Sequence, residues 1–483
     1  MKASEAAAAI SGARIRGSEA EFSHLRADSK SIRPGDAFIA LKGSTDDGHR
    51  YIEDAIAAGA SVIICAPGSA VTNSRAAFIE VPDTRAALRS LLPLLHPLAT
   101  CPRLVGVTGT NGKTTTTYLL ESVLEQAGLE PGVIGTISMR HHGLSEPSTV
   151  TTPGPIDLFE RLDGMARAGV KVCVMEVSSH SLHQDRVMGL SFDCGIFTNL
   201  SQDHLDYHKD MESYFLAKKK LFTQYLRGTA VINADDAFGA RLASELPGAL
   251  TYGRKESAGI RLRSLSSGPE GLNVELSGPA GEMSIRSRLV GEVNAYNIMA
   301  CVGAALALGI DPSAVVRGIE NLAEVPGRME PVRNASGLTV LVDFAHTPDA
   351  LSHALASARK LTTGRLITVF GCGGDRDRAK RPLMGAIASR ASDVVIVTSD
   401  NPRSEDPAAI IGEILAGIPE KNGIMVEPDR REAIRLAISL MERGDCLLIA
   451  GKGHETYQII GKKRLSFDDR KCAAEFLEEV GRP

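Results

Sequence analysis

Residues 105–118 read Val-Gly-Val-Thr-Gly-Thr-Asn-Gly-Lys-Thr-Thr-Thr-Thr-Tyr. The apolar run Leu104 to Val107 predicts a buried strand, broken at Gly109-Thr110-Asn111-Gly112. A helical pattern (Tyr118, Leu119, Leu120, Val123, Leu124) starts directly after it. Strand, glycine loop, lysine, threonine and helix in that order build a phosphate cradle. Backbone N–H groups and the positive helix N-terminus face the anion, Lys113 reaches the terminal phosphates, and Thr114 offers a hydroxyl to Mg²⁺. The strict pattern G-x-x-x-x-G-K-[ST] is not met, because Val107 stands where its first glycine belongs.

Composition sets the class around this loop. With 483 residues the chain has room for about three domains. A net charge of −4 and 23% charged residues give no basic excess of the kind that binds nucleic acid. The eight cysteines (65, 101, 173, 194, 301, 372, 446 and 472) form no C-x-x-C pair, so neither a zinc site nor a disulfide framework is expected. The longest run free of charged or strongly polar side chains, Ile298 to Ile310, is short of the roughly 20 residues of a membrane span. The N-terminus carries Glu5 and a weak Ala8-Ala9-Ile10 patch in place of a signal-peptide core. The expectation is a cytoplasmic monomer with small-molecule substrates, no nucleic acid and no membrane partner.

Outward from the loop the chain divides into 1–100, 101–327 and 328–483, with breaks at Leu98 to Pro102 and Val325-Pro326-Gly327. The first module is small and α/β: strands at Ala37 to Leu41 and Ser61 to Cys65, and a helix at Tyr51 to Ala58. In the second, strands at 172–176, 194–198 and 228–233 alternate with helices at 114–127, 156–168 and 211–226, predicting a mostly parallel sheet. Apolar runs at 338–342, 366–370, 393–398 and 446–450 predict another open α/β sheet in the third. The expected fold is a P-loop-type ATPase domain flanked by a small N-terminal α/β domain and a C-terminal Rossmann-like one.

Several polar residues follow these strands. Glu176 ends the strand at Val172, where a carboxylate beside a P-loop can hold Mg²⁺. The segment Thr198 to Asp206 places His204 after the next strand, with Asp203 and Asp206 beside it. At 100° per residue, Lys218 lies mid-stripe among Tyr214, Phe215, Leu221 and Phe222. An amine in an apolar stripe has a lowered pKa and must find a partner, be modified, or snorkel to water. In the third module, Arg376 and Arg403 offer forked donors for carboxylates, and Asp400 and Glu455 offer acceptors for an ammonium. Together they suggest a zwitterion carrying more than one carboxylate.

With these residues in view, the chain resembles the Mur ligase family over nearly its whole length. The resemblance is carried by Gly109 to Thr115, Thr151-Thr152-Pro153, Met175 to His180, Asn199 to His208, Asn294 to Asn297, Gly327-Arg328 and Asp343 to Pro348. Asp400-Asn401-Pro402-Arg403 is similar to the signature of the diaminopimelate-adding members. Two positions depart from the family pattern: Lys30 stands where an arginine is usual, and Val150 where a polar residue is common.

The resemblance implies an ATP-dependent amide ligase of peptidoglycan precursor synthesis. Such an enzyme joins meso-2,6-diaminopimelate to the D-glutamyl γ-carboxylate of UDP-N-acetylmuramoyl-L-alanyl-D-glutamate through an acyl phosphate. It implies that Ser29, Ser44, Thr45 and Asp46 meet the UDP part, and Thr151, Thr152, Ser178, Gln184 and Arg186 the muramoyl dipeptide. Gly109, Thr110, Asn111, Gly112, Lys113, Thr114, Thr115, Asn294, Arg328 and Asp343 would contact ATP. Arg376, Asp400, Asn401, Pro402, Arg403, Gly451 and Glu455 would contact diaminopimelate. Thr114, Glu176, His204 and a carbamylated Lys218 would hold Mg²⁺, with Lys113, Lys218, Glu176 and His204 as the catalytic set. Hinges near 100 and 327 would let the domains close. The competing readings are a folylpolyglutamate synthetase-like ligase, and a P-loop kinase or nucleotide-gated binding protein. The first lacks a reason for the N-terminal module, and the second for the zwitterion pocket.

Overall fold

The computed structural model describes every residue except 44–45, 72–74, 269, 420–422 and 481–483. The chain is α/β and forms three domains, each built on its own sheet, with a separate two-stranded hairpin. In the N-terminal sheet the strands run in the order Arg14–Arg16, Ala77–Glu80, Val62–Cys65, Ala37–Ile39, Leu25–Arg26. All pairs but the first are parallel. Val62–Cys65 is apolar at every position because both faces are covered. Val62 and Ile64 pack toward Leu88 and Leu91 of one core, while Ile63 and Cys65 join Ile52 and Ala55 in another.

The central sheet has 11 strands. Its middle is parallel, running Pro131–Ile134, Val172–Glu176, Arg103–Thr108, Phe192–Phe197, Leu226–Asn233, Leu250–Gly253. Val105, Val107, Val174 and Ile196 face the helices Lys113–Gln126 and Val293–Ala307, whereas Cys173, Met175 and Phe197 face the opposite core. Register sets the rim: Glu176 lies opposite Val107, and Phe197 opposite Thr108. The glycine loop, Glu176 and the segment after Phe197 therefore leave the sheet side by side.

The C-terminal sheet runs Glu330–Pro331, Thr339–Asp343, Cys446–Ala450, Leu366–Phe370, Val394–Val397, Ile424–Val426, parallel after the first pair. Insertion of the late strand Cys446–Ala450 between two earlier ones brings the segments after residues 343, 370, 397 and 450 to one end, where such sheets bind ligands.

Some elements differ from the sequence reading. The helix expected over 211–226 ends at Lys220, and a π-helical turn, Leu221–Tyr225, leads into a strand beginning at Leu226. Leu221, Phe222 and Tyr225 are buried in that turn, so the apolar pattern continues while the hydrogen bonding changes. The central sheet gains antiparallel edges, Ile260–Gly268, Gly271–Gly278 and Gly281–Ser287 on one side, and Ser138–His141 and Leu144–Pro147 on the other. In the N-terminal sheet, Arg14–Arg16 and Leu25–Arg26 are too short, and the former too exposed, for a period-2 signal. No described helix is long and apolar enough to cross a membrane.

Candidate active site

The strand Arg103–Thr108 delivers the glycine loop to the mouth of a cavity of about 1460 Å³ between the central and C-terminal sheets. Gly109 has φ 147° and Gly112 φ 87°. A Cβ on either would collide, with the Thr198 hydroxyl at Gly109 and with the Asn297 amide oxygen at Gly112. The loop is pinned from the next strand: Thr198 Oγ1 donates to Asn111 O at 2.6 Å, and Asn111 N donates to Asn199 Oδ1 at 3.0 Å. Lys113 opens the helix, and its ammonium donates to the carbonyls of Gly109 at 2.9 Å and Thr110 at 2.8 Å.

Glu176 is 1% exposed. It accepts from the Thr114 hydroxyl at 3.0 Å, from Thr136 N at 2.8 Å and from the Thr136 hydroxyl at 2.9 Å. Arg328 crosses from the C-terminal domain to donate to Thr114 Oγ1 at 3.1 Å. Burial lowers the Arg328 pKa against the pull of Asp343, and raises that of Asp343 against Arg328. Asp343 accepts from the Met329 and Ala345 amides at 2.7 and 2.8 Å. A second cross-domain bond runs from Asn111 Nδ2 to Asp349 Oδ2 at 2.9 Å.

Lys218 is 1% exposed, as its mid-stripe position requires, and Leu216 on the other side of the helix is open to solvent. Its amine donates to Gly109 O at 2.8 Å, the same carbonyl that Lys113 uses, and lies 4.6 Å from the Tyr214 ring centre. Burial, then the neighbouring Lys113 charge, push its pKa well down. Next to it His180, His204, Tyr207 and His208 form an aromatic cluster, with His180 4.8 Å from His204 and 4.2 Å from Tyr207. Burial raises the Asp203 pKa, but His204, His346 and Lys380 outweigh it and hold the carboxyl below its usual range.

On the C-terminal rim, Arg403 adopts φ 53°, and its guanidinium donates to Gly374 O at 2.8 Å. Burial and then the nearby Arg376 lower its pKa, against the pull of Asp400, Glu455 and Asp375. Glu455, expected to accept from an ammonium, already has partners on one carboxylate oxygen. Lys452, 0% exposed, pairs with it at 2.9 Å, and Asn401 Nδ2 donates to it at 2.8 Å. Asn401 Oδ1 in turn accepts from Lys452 at 3.2 Å and from Ile459 N at 2.9 Å, so its amide serves the loop. Gly451 is needed because a Cβ there would lie 2.7 Å from Asp400 Oδ2.

Of the residues read from the sequence, the cavity is lined by Thr110 to Thr115, Thr151, Glu176, Ser178, His204, Lys218, Asn294, Arg328, Asp343, Arg376, Asp400, Asn401, Arg403, Gly451 and Glu455. Gly109, Thr152 and Pro402 stand behind that wall. Thr152 is buried and donates to Glu176 O at 2.8 Å. Arg186 donates to Thr152 O at 2.9 Å and to Gln184 Oε1 at 2.8 Å, one layer further back. Ser29 and Asp46 stay in the N-terminal domain away from this cavity, Ser29 in a turn capped by Asp28 and Asp46 accepting from Tyr51 at 2.7 Å. Ser44 and Thr45 lie outside the described residues. The sequence reading missed Thr136, Asp349 and Lys452. Lys452 had a signal, since it sits between two glycines directly after an apolar strand; the other two had none.

Residues 107–305 match the Mur ligase middle domain, 327–453 the Mur ligase glutamate ligase domain, and 21–101 the Mur ligase family catalytic domain. A UDP-N-acetylmuramoyl-L-alanyl-D-glutamate–2,6-diaminopimelate ligase from Geobacter metallireducens is 46% identical, across 99% of this chain and 99% of that protein. One of the same name from Gloeobacter violaceus is 46% identical, across 95% and 94%. A solved structure, also of a UDP-N-acetylmuramoyl-L-alanyl-D-glutamate–2,6-diaminopimelate ligase, superposes with a TM-score of 0.68 at 34% identity, covering 96% of each chain. With the phosphate loop, the buried lysine and the arginine-bearing rim on one cavity, this chain belongs to the Mur ligase family.

Proposed function

We propose that the enzyme joins meso-2,6-diaminopimelate to the D-glutamyl γ-carboxylate of UDP-N-acetylmuramoyl-L-alanyl-D-glutamate with cleavage of ATP, in the building of peptidoglycan precursors. The observation that carries this reading is that one cavity joins the glycine loop to the Arg376–Arg403 rim. A phosphoryl donor and a dicarboxylic amine can therefore meet the same acid. A γ-carboxylate oxygen bonds to the terminal phosphorus of ATP, whose bond to ADP breaks. The free amine of diaminopimelate then bonds to the acyl carbon and loses a proton, and phosphate leaves with the acyl C–O bond's electrons.

In this reading Lys113 and the loop amides neutralise the transferring phosphoryl group, a role that preorganised charge fills without reorganising. Asn294, Arg328 and Asp343 hold the nucleotide from two domains. Thr151, Thr152, Ser178, Gln184 and Arg186 hold or brace the muramoyl dipeptide, and Ser29, Asp46 and the 44–45 segment the uridine end. The domain divisions near 100 and 327 act as hinges.

Magnesium fits the oxygen donors Thr114 and Glu176. Among the described residues no three His, Cys, Asp or Glu side chains form a self-sufficient metal cage, which suits an ion that draws several ligands from phosphates. Bound there and near His204, Mg²⁺ would supply charge neutralisation at the phosphates. Burial lowers the Lys218 pKa and so favours the neutral amine that takes up CO₂; a carbamate there would turn a buried amine into an oxygen donor on the same side of the loop. All eight cysteines are free, which favours a reducing cytoplasm.

Phosphate release from ATP tests the proposal. It should require both UDP-N-acetylmuramoyl-L-alanyl-D-glutamate and diaminopimelate. Equal release with neither substrate present, or with lysine as effective as diaminopimelate, would overturn it.

A further inference from the structure

The loop that carries Arg403 is not self-supporting. A two-stranded antiparallel hairpin, Tyr457–Ile460 and Lys463–Ser466, follows Glu455 and stands outside the six-stranded sheet. It grips Arg403 on both sides of the residue: Arg403 N donates to Ile459 O at 3.1 Å, and Gly461 N donates to Arg403 O at 2.7 Å. Gln458 Nε2 donates to Asp400 O at 2.7 Å, three residues back along the same loop. Arg403 needs this grip because its φ of 53° lies in the left-handed region that residues with a Cβ avoid. Freed from the hairpin, the backbone would relax toward ordinary φ values. The guanidinium would then leave the place on the cavity wall where it meets Gly374 O close to Arg376. The hairpin also forms cavity wall, with Tyr457 carrying the Arg464 guanidinium 3.7 Å above its ring.

We propose that this hairpin is the selectivity arm of the amino-acid pocket, and that Gln458 is a positioning residue. It holds Arg403 where the second carboxylate of the incoming amino acid must sit. The inference rests on the reading of the pocket as the diaminopimelate site. Gln458 is its side-chain handle: the other bonds are backbone, or belong to Asn401 within the binding loop, whereas the Gln458 amide donates to a main-chain oxygen of the loop.

The test measures kcat and KM for diaminopimelate, lysine and ATP in the wild-type enzyme, Gln458→Met, Gln458→Lys, Arg403→Ala and the Gln458→Met/Arg403→Ala double variant. Gln458→Met should raise the diaminopimelate KM by about 10-fold or more, since small misplacements of a binding group are costly. It should narrow the preference over lysine and leave the ATP KM unchanged. Gln458→Lys keeps a donor and should recover most of the loss. In the double variant the Met substitution should add nothing to Arg403→Ala, because a positioning residue acts only through the group it positions. If Gln458→Met does not fold, Gln458→Glu, of the same length but without the donor, reads the same quantities. An unmoved diaminopimelate KM, a parallel rise in all three KM values, or additive losses in the double variant would each overturn the proposal. A wild-type enzyme that ignores diaminopimelate would instead bring down the functional reading beneath it.

Discussion

At the scale of single residues, Arg403 and Lys218 carry the sharpest expectations. Lysine lacks the second carboxylate, so its binding would leave the Arg403 guanidinium unpaired in a partly dry pocket. Sites built around such a contact discriminate by roughly 10⁴–10⁵-fold. Arg403→Ala should lose most diaminopimelate addition while still binding ATP, and a ratio of diaminopimelate to lysine use equal to wild type would refute the assignment. Lys218→Ala should be nearly inactive and partly recovered by a short-chain carboxylate such as acetate; steady-state rates with and without it decide. His208 gives a pH expectation. It is buried, with Nε2 3.0 Å from the Ser179 hydroxyl, and burial pushes its pKa down to about 4. An unfolded histidine titrates near 6.5, so between those values the unfolded chain binds more protons. The stability this residue contributes is complete above about pH 6.5 and falls as the pH drops toward 4. At pH 5 the loss should be about 1–2 kcal/mol. His208→Gln should shrink the difference between urea midpoints at pH 7 and pH 5.

At the scale of elements, loops are held by what lies under them. Arg430 and Asp469 form an ion pair with both side chains 0% exposed, bonded at 2.8 Å. Arg430 also donates to Ala450 O at 2.9 Å and to Ser399 O at 3.4 Å, joining the ends of the two strands whose loops carry Arg403 and Glu455. Asp469→Ala would leave that guanidinium buried and unpaired, a loss of about 3–5 kcal/mol measurable by chemical denaturation. The strands Leu366–Phe370 and Cys446–Ala450 were legible in full, because a strand buried on both faces is one apolar run. The Tyr457–Ser466 hairpin was not: Ile460 and Leu465 are exposed, so neither alternation nor a continuous run marks it. Among the site residues, Lys218 was legible from helical periodicity, while Thr136, which gives Glu176 two of its three bonds, lies in a loop with no pattern.

At the scale of the molecule, the site spans two domains. Arg328 reaches Thr114, and Asn111 reaches Asp349, so the nucleotide loop and the C-terminal domain bear directly on each other. Saturating nucleotide should therefore stabilise both together, by about 2.7 kcal/mol at 100 times Kd. Calorimetry should show the transition of the central and C-terminal domains moving upward as one. Lys113→Ala should abolish the shift, and a shift confined to one transition would argue against coupling.

What the sequence determined by itself is what is local: the strand, glycine loop, lysine and helix follow one another within 14 residues, and each step is encoded by its immediate neighbours. The alternation of strands and helices and the stripe holding Lys218 follow from the same short-range periodicities. Tertiary structure alone decided which charges are spent and which remain available. Arg430 is neutralised by Asp469, 39 residues further along the chain, while Arg376 and Arg403 are brought together beside Gly373. It also decided that Arg403 holds a left-handed backbone gripped by residues more than 50 positions later. Such pairings depend on strand order and loop packing, and no run of adjacent side chains records them.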